Sequence, residues 1–357
     1  MKNTLPIAFA LLAGVYCAHA QNTKPAKTFI DYFLPTPIVG ALSKDVWGAA
    51  TVGLRDPKNG LEDVTMTQWN YWDGKILKGP DGKYHLFGSR WEQGKGHKGW
   101  WESKAIHAVS DHLLGPYVDK GLCWPGNEGG KGHNVTALQL PDGRYAIVIS
   151  ETRPGMVFVS KSLDGPWEPL GKITVKDNPK WRASNEIILA RPDGRFEMFG
   201  RAGVVMISNK GILGPYVPQG PKIYPGIKDF PQHELGRLED PTLWYSGGLY
   251  HITVNNWSDK KAYHITSKDG IKNWTYRGVA YEPGKDFIRY TDGTVNHWTK
   301  LERPSIYIEN GHVTAVTLAV VDVEKENQNG NDGHGSKIVV IPFDGAAMDR
   351  DLQQGGR

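Results

Sequence analysis

The sequence predicts an all-β fold, a five-bladed β-propeller built from four-stranded blades. Three observations support it. A hairpin pattern recurs five times, four of its copies are followed by a second pair of strands, and no stretch sustains the apolar periodicity of a helix. The glycines of the five hairpin turns are 61, 51, 54 and 63 residues apart. Such spacing suits propeller repeats of roughly 40–50 residues that carry additional loops.

The hairpin pattern is clearest in residues 72–87, where a strand, the tight turn Pro80-Asp81-Gly82 and a second strand follow one another. Counting nine residues back from the turn glycine reaches a polar residue in every copy. The other copies cover residues 133–147, 184–198, 239–252 and 302–315, and the five polar residues are Asp73, Asn134, Asn185, Glu239 and Glu302.

The second strand pair begins with a strand and turns at a Gly-Pro corner in the first three units, while the fourth unit has a degenerate form of this signature. The last unit has only residues 336–343 after its hairpin. We therefore expect an N-terminal strand near Phe29–Phe33 to complete the fifth blade and close the ring. Residues 45–68 read as long loops. A β-sandwich with long loops is the competing fold.

The first twenty residues have the features of a signal peptide. Lys2 is followed by an apolar run at residues 5–15 and by the small-residue site Ala18-His19-Ala20. The run is too short for a membrane anchor, so we expect a periplasmic or secreted protein. The predicted division is a signal peptide at 1–20, an N-terminal strand and loops at 21–71, the propeller at 72–346 and a C-terminal tail at 347–357. The mature chain would keep one cysteine, Cys123, and no internal disulfide.

The formal net charge of +4 comes without a basic run, which argues against nucleic-acid binding. The 13 Trp and 15 Tyr residues include aromatic rings that suit the apolar faces of sugars, so the expected partner is an oligosaccharide or polysaccharide, and the expected state is a monomer.

No spacing typical of a zinc or calcium loop is present, so we expect no cofactor, although a calcium ion in the central channel is possible. His97, His297 and His334 are expected to be solvated.

In a propeller the first strands of the blades line the central channel, so the five polar positions should form a ring at one mouth. Their next-door neighbours are Gly74, Val135, Glu186, Asp240 and Arg303. Clustered carboxyl groups raise one pKa while another group stays ionised. Cleavage of a glycosidic bond needs such a pair.

The repeated unit, an acid, two apolar residues and a Gly-x-Tyr turn exit, resembles glycoside hydrolase family 43 and its five-bladed relatives over almost the whole mature chain. The resemblance implies an Asp base in the first blade and a Glu acid in the fourth, which places Asp73 and Glu239 in those roles. Asn185 stands where the family has an orienting Asp in the third blade. Glu186 beside it could substitute.

A second resemblance is to the rhamnose–glucuronate lyases, the related rhamnosidases and some ulvan lyases. It rests on short strings such as residues 106–110, 132–134 and 151–154, together with Glu239-Asp240-Pro241. It implies catalysis by two histidines from neighbouring blades, matched here by His107 and His133. An insertion at residues 126–130 departs from that pattern.

Three functions follow as hypotheses. The first is an exo-acting, inverting glycoside hydrolase in which Asp73 activates water and Glu239 protonates the leaving oxygen, with Glu186 and His133 also in the catalytic group. The second is a uronate-directed lyase or histidine-dependent hydrolase, and the third is a non-catalytic sugar-binding propeller. The expected substrate-binding residues are Trp72, His107, Asn134, Asn185, Asp240, Glu302 and Arg303.

Overall fold

The computed structural model describes residue 1 and residues 27–43 and 52–355. Within these ranges, five antiparallel sheets follow one another along the chain, and in each of them the strands pair in chain order. The first strands of neighbouring blades contact each other around the central axis. The prediction of an all-β, five-bladed propeller is confirmed.

The strand bounds are as follows. Blade 1 comprises β1 (Trp69–Lys78), β2 (Tyr84–Glu92), β3 (Lys104–Ser110) and β4 (Val118–Leu122). Blade 2 comprises β5 (His133–Gln139), β6 (Tyr145–Glu151), β7 (Met156–Ser160) and β8 (Glu168–Lys172). Blade 3 comprises β9 (Ile187–Ala190), β10 (Phe196–Phe199), β11 (Val205–Ser208) and β12 (Val217–Pro218). Blade 4 comprises β13 (Leu238–Ser246), β14 (Leu249–Asn256), β15 (Ala262–Ser267) and β16 (Thr275–Tyr281). Blade 5 comprises β17 (Lys300–Glu309), β18 (His312–Val321) and β19 (Ser336–Pro342).

The core lies between the blades, because both faces of each sheet are covered by a neighbour. Phe87 of blade 1, for example, packs in one apolar cluster with Ile147 and Phe158 of blade 2. Long buried runs along the strands replace the alternation of apolar and polar residues seen in sheets with one solvated face. The apolar layers between blades therefore hold the ring together.

Among the residues that the structure describes, the fifth blade has three strands, and the prediction of a strand near Phe29–Phe33 is wrong. Phe29–Tyr32 forms a 3-10 helix whose start is closed by a capping box between Thr28 and Asp31. Phe33 makes a single antiparallel bridge to Phe343, just beyond β19. Closure of the ring by an N-terminal strand is thus not confirmed.

Short segments cover the free edge of β19 instead. Leu61 bridges Ile338, and the Leu34 N–H donates to the carbonyl of Pro342 at 2.9 Å. Between them, the Asn59 side chain donates to the Val340 carbonyl at 2.8 Å and accepts from the Val340 N–H at 3.0 Å. Unpaired backbone groups at a sheet edge need such partners. A side-chain amide therefore takes the place of a missing strand residue.

The C-terminal segment, expected as a tail, is an α-helix, α1 (Gly345–Gln354). The Asp344 side chain caps it by accepting from the Ala347 N–H at 2.9 Å. Met348 is buried in the core cluster of the fifth blade. A helix of ten residues that buries so few apolar side chains leaves too little periodicity to be recognised in the sequence.

The predicted signal peptide lies outside the described residues apart from Met1. Among the residues that the structure describes, no helix has the length and apolar character needed to cross a membrane. Cys123 is buried, and burial raises the pKa of its thiol.

Candidate functional site

A cavity of about 360 Å³ opens at the end of the channel where the first strands of the blades begin. Residues of all five blades and of the loops above them surround it. The lining residues are Trp72, His97, Trp100, Trp101, His133, Asn134, Glu151, Ser184, Asn185, Arg201, Glu239, Asp240, Glu302 and Lys325.

One backbone position with a left-handed conformation recurs at the start of every blade. The residues there are Asp73, Asn134, Asn185, Asp240 and Arg303, with φ of 71°, 54°, 52°, 48° and 50°. The structural equivalents of Asp73 in blades 4 and 5 are therefore Asp240 and Arg303, and the predicted alignment with Glu239 and Glu302 is wrong by one residue.

The error arises from the hairpin turns. Blades 1 to 3 have five-residue connections between their first two strands, whereas blades 4 and 5 have two-residue connections. The turn glycine consequently follows the left-handed residue by nine positions in the first three blades and by eight in the last two.

The residue before the left-handed position faces the cavity in each blade. These residues are Trp72, His133, Ser184, Glu239 and Glu302, and all five line the cavity. Of the left-handed residues, Asn134, Asn185 and Asp240 also line it. Asp73 and Arg303 are buried and do not.

Hydrogen bonds join four of the left-handed residues, Asp73, Asn185, Asp240 and Arg303, into one network. Arg303 donates from Nε to Asp73 Oδ1 at 2.8 Å and from one terminal nitrogen to Asp240 Oδ1 at 3.1 Å. Asn185 Nδ2 donates to the same Asp240 oxygen at 2.5 Å. The Val135 N–H donates to Asp73 Oδ2 at 2.9 Å. Every blade contributes a residue to this network, which lies next to the cavity-lining residues.

Asp73 does not face the cavity as expected for a base that activates water. Its side chain is 2% exposed, one oxygen accepts from Arg303, and the other accepts from Ser89 Oγ and the Val135 N–H. Burial raises the pKa of the Asp73 carboxyl, while Arg303 and these hydrogen bonds act in the opposite direction. The geometry is that of a structural carboxylate.

Glu239 does face the cavity, and burial raises its pKa to about 8, with the nearby charges of Asp240 and Glu302 adding to the effect. Glu302 forms an ion pair with Lys325. Carboxylate oxygens of Glu239, Asp240 and Glu302 all lie within 4.8 Å of one another. The carboxyl of Glu239, which is protonated at neutral pH, therefore lies beside the ion-paired carboxylate of Glu302.

Two further carboxyl groups lie on the side of blades 2 and 3. Glu186 is buried and does not line the cavity; burial raises its pKa to about 8, and its Oε2 has no hydrogen-bond partner among the described residues. Glu151 lines the cavity, and burial raises its pKa too. The expected catalytic role of Glu186 requires access to the cavity, which this geometry does not provide.

An aromatic wall flanks the cavity on the side of blades 1 and 2. Trp100 stacks on Trp101 with ring centroids 3.9 Å apart and lies 4.8 Å from the His133 ring. Trp101 is 63% exposed. Burial lowers the pKa of His133 well below its usual range, so the imidazole is neutral.

His97, expected to be solvated, instead packs against Trp72 and lines the cavity.

His107 does not reach the cavity, contrary to the expectation that it contacts substrate. It lies on β3, where its ring stacks on Phe87 and on His85, between blades 1 and 2. Burial lowers its pKa to about 4. The third strand of a blade is separated from the channel by the first two strands, so its side chains face the neighbouring blade.

Sequence reasoning missed Glu151, Arg201 and Lys325 as cavity residues. Arg201 and Lys325 lie outside the strands, and Glu151 is the last residue of β6. Trp100 and Trp101 come from a 3-10 helix at His97–Glu102, inserted between β2 and β3. None of these residues recurs with the hairpin, so the repeat could not indicate them. The tryptophan pair was the one available signal.

The carboxylates of Glu239, Asp240 and Glu302 are close enough to share a cation, but the residues do not fit calcium. Calcium takes six to eight oxygen ligands. Here Lys325 already pairs with Glu302, and both Arg303 and Asn185 donate to Asp240. These donors take one oxygen of Asp240 and one of Glu302, and they supply positive charge where an ion would have to bind. A calcium ion elsewhere in the channel stays a prediction.

No protein-family model matches the sequence, and a search of curated proteins found no match. Solved structures do resemble it. A family 43 β-xylosidase/α-arabinofuranosidase from a compost microbial metagenome gives a TM-score of 0.53 at 15% identity, covering 77% of this chain and 92% of that one. A family 43 enzyme from Xanthomonas citri gives 0.52 at 14%, covering 77% and 89%.

A family 117 glycoside hydrolase from the marine bacterium Zobellia galactanivorans gives a TM-score of 0.52 at 14% identity, covering 80% of this chain and 89% of that one. At these identities the likeness shows the fold. The chain shares the propeller architecture of these enzymes.

Proposed function

We propose that this protein is a glycoside hydrolase whose active site is the cavity at the channel mouth. The observation that carries the proposal is Glu239, a cavity-facing carboxyl with a pKa near 8, beside Glu302, which is ion-paired to Lys325. A protonated carboxyl can deliver a proton to the glycosidic oxygen as the bond breaks, and a second carboxylate can act on the sugar carbon. The shared fold with family 43 and family 117 enzymes supports the same conclusion.

Two carboxylates are candidates for the partner of Glu239, and they predict opposite stereochemistry. Asp73, the base expected from the sequence, would activate water and invert the anomeric centre. Glu302 would attack the sugar and retain it, since retaining pairs lie roughly 5–5.5 Å apart and inverting pairs about 6.5–9.5 Å. The structure favours Glu302, because it lines the cavity with an oxygen within 4.8 Å of the acid.

We propose an exo mode of action. The buried network of Arg303, Asp73 and Asp240 lies next to the cavity-lining residues and supports entry of the substrate from one end of the channel. A chain end would enter the cavity, and the following sugars would leave along the exposed face of Trp101, since apolar sugar faces pack on aromatic rings.

The test is incubation with a panel of plant and algal oligosaccharides. Products should differ from substrate by hydrolysis, as shown by mass, and nuclear magnetic resonance of the anomeric protons should show retention. Inversion would exclude Glu302 as the nucleophile while leaving hydrolysis intact. Ultraviolet absorbance of an unsaturated uronate would establish a lyase, and saturable binding with no turnover would establish a sugar-binding propeller.

The lyase alternative requires both His107 and His133 to contact the substrate, but His107 lies outside the cavity. His133 alone remains as a neutral base. No observation favours that reaction over hydrolysis.

We also propose that the protein acts as an exported monomer. The support for export is the sequence of residues 1–20, and the expected mature terminus is Gln21. N-terminal sequencing of protein recovered from outside the cytoplasm, and its elution volume in size-exclusion chromatography, test the two parts separately.

A further inference from the structure

A cluster of metal-ligating side chains lies between blades 1 and 2, apart from the cavity. His85 Nδ1 is 2.8 Å from His107 Nε2, and both rings are buried. Asp164, from the β7–β8 turn of blade 2, places its Oδ1 3.9 Å from His85 Nδ1. One donor atom from each of the three residues lies within 4.8 Å of the others.

The other nitrogen of His85 has the partner that a metal-binding histidine usually has. His85 Nε2 lies 3.3 Å from Asp81 Oδ1. Ligating imidazoles commonly donate their second N–H to a carboxylate, which fixes the tautomer and leaves the first nitrogen bare for the metal. Gly79 makes this contact possible, because a Cβ there would lie 2.3 Å from Asp81 Oδ1 and 2.7 Å from His85 Nε2.

Blade 4 contains a matched pair that lacks the carboxylates. His251 Nδ1 lies 3.0 Å from His264 Nε2, and the rings stack as those of His85 and His107 do. The second nitrogen of His251 faces the carbonyl and hydroxyl of Ser246 instead. A histidine pair is therefore a packing feature of these blades, and the two aspartates distinguish the one in blade 1.

We propose that His85, His107 and Asp164 bind one divalent transition-metal ion, zinc or a metal of similar preference, and so link blade 1 to blade 2. Two imidazole nitrogens and a carboxylate oxygen are a ligand set that such ions prefer, and water completes the tetrahedron. Asp164 has a 70% exposed side chain on a turn, so it can approach the histidines. The proposal is independent of the proposed hydrolase activity.

The proton balance is simple. With His85 Nε2–H donated to Asp81, His85 Nδ1 is unprotonated, and His107 Nε2–H is the donor of the bond between the rings. Metal binding requires a bare Nε2 on His107, so its proton moves to Nδ1 of the same ring. The ion and its one ligating carboxylate would together carry a net positive charge, which the Asp81 carboxylate beside His85 offsets.

The experiment is isothermal titration of untagged, metal-stripped protein with zinc chloride, paired with thermal unfolding. We expect saturation at one equivalent and a midpoint that rises with zinc, because the ion binds the folded state. Asp164→Asn and His107→Gln should each weaken binding at least tenfold. Asp81→Asn should weaken it roughly tenfold through the orientation of His85. His264→Gln, in the matched pair, should leave binding unchanged.

Zinc affinity that survives Asp164→Asn would overturn the proposal and assign binding to surface histidines, as would the absence of saturable binding in the parent protein. Asp164 is exposed, so this variant folds even if His107→Gln does not. Unfolding midpoints without zinc confirm that each variant is intact.

Discussion

The carboxyl of Glu239 illustrates how neighbours set the chemistry of a single residue. Burial, Asp240 and Glu302 favour its protonated form, while Lys325 and Arg201 favour the carboxylate. The outcome is a pKa near 8, which suits a general acid at neutral pH. The identity of the residue could be read from the sequence, whereas the balance of these four neighbours could not, since two of them lie outside the strands.

Glu239→Gln should preserve folding and lower kcat/KM by roughly 10²- to 10⁴-fold, the range of general acid–base catalysis. The substitution keeps the shape of the side chain but removes the transferable proton. Steady-state kinetics on a substrate from the oligosaccharide panel measure the loss. Glu309→Gln, at the far end of β17 in an ion pair with Lys78, is the matched control. Equal activity in the two variants would clear Glu239 of the role.

The pH profile offers a second test of the same residue. Because Glu239 must be protonated, kcat/KM should decline as the pH rises through about 8. Lys325 favours the carboxylate, so Lys325→Met should raise the pKa of Glu239 and move this decline to higher pH. The exposed Lys176→Met should leave the profile in place. A decline that stays fixed in Lys325→Met would show that another group controls it.

At the level of strands and turns, the sequence was sufficient for the blades because their signals are local. Each hairpin has its own turn residues and a polar residue near the start of its first strand, so the five copies could be counted and aligned. The alignment failed by one residue at Asp240 and Arg303, because turn length changes between blades 3 and 4. Trp100 and Trp101 depend on where an inserted 3-10 helix packs, which is a tertiary property that the repeat does not encode.

At the outer edge of β19, short segments and the Asn59 side chain take the place of a fourth strand. Asn59→Ala would leave the N–H and carbonyl of Val340 buried and unpaired. Each unsatisfied buried group costs about 1–3 kcal/mol, so the two together should lower the free energy of unfolding by roughly 2–6 kcal/mol. Urea denaturation measures it. Asn329→Ala, which removes an exposed bond to the carbonyl of Asn327, should change stability little. Similar small losses in both variants would contradict the role given to Asn59.

Across the whole molecule, the five blades meet in the network around Arg303. Its guanidinium links Asp73 of blade 1 to Asp240 of blade 4, and those carboxylates reach blades 2 and 3 through the Val135 N–H and Asn185. The apolar layers between blades hold only neighbours together. This polar network contains a residue from each of the five blades, and it lies next to the cavity-lining residues.

Arg303→Met should therefore destabilise the entire propeller. Removing one partner of a buried ion pair costs about 3–5 kcal/mol, because Asp73 and Asp240 would be left charged without a counter-ion. The pKa of Asp73, which burial already raises, would rise further in the folded variant without Arg303, and a folded state that binds more protons gains stability as the pH falls. The deficit relative to the parent should thus shrink between pH 8 and pH 5. Adding Asp73→Asn should recover part of it at pH 8, since one uncompensated charge is gone. The measurement is urea unfolding at both pH values of four proteins: the parent, Arg303→Met, Asp73→Asn and the double variant. If the loss of stability in Arg303→Met does not depend on pH, and Asp73→Asn recovers none of it, Arg303 acts by packing alone.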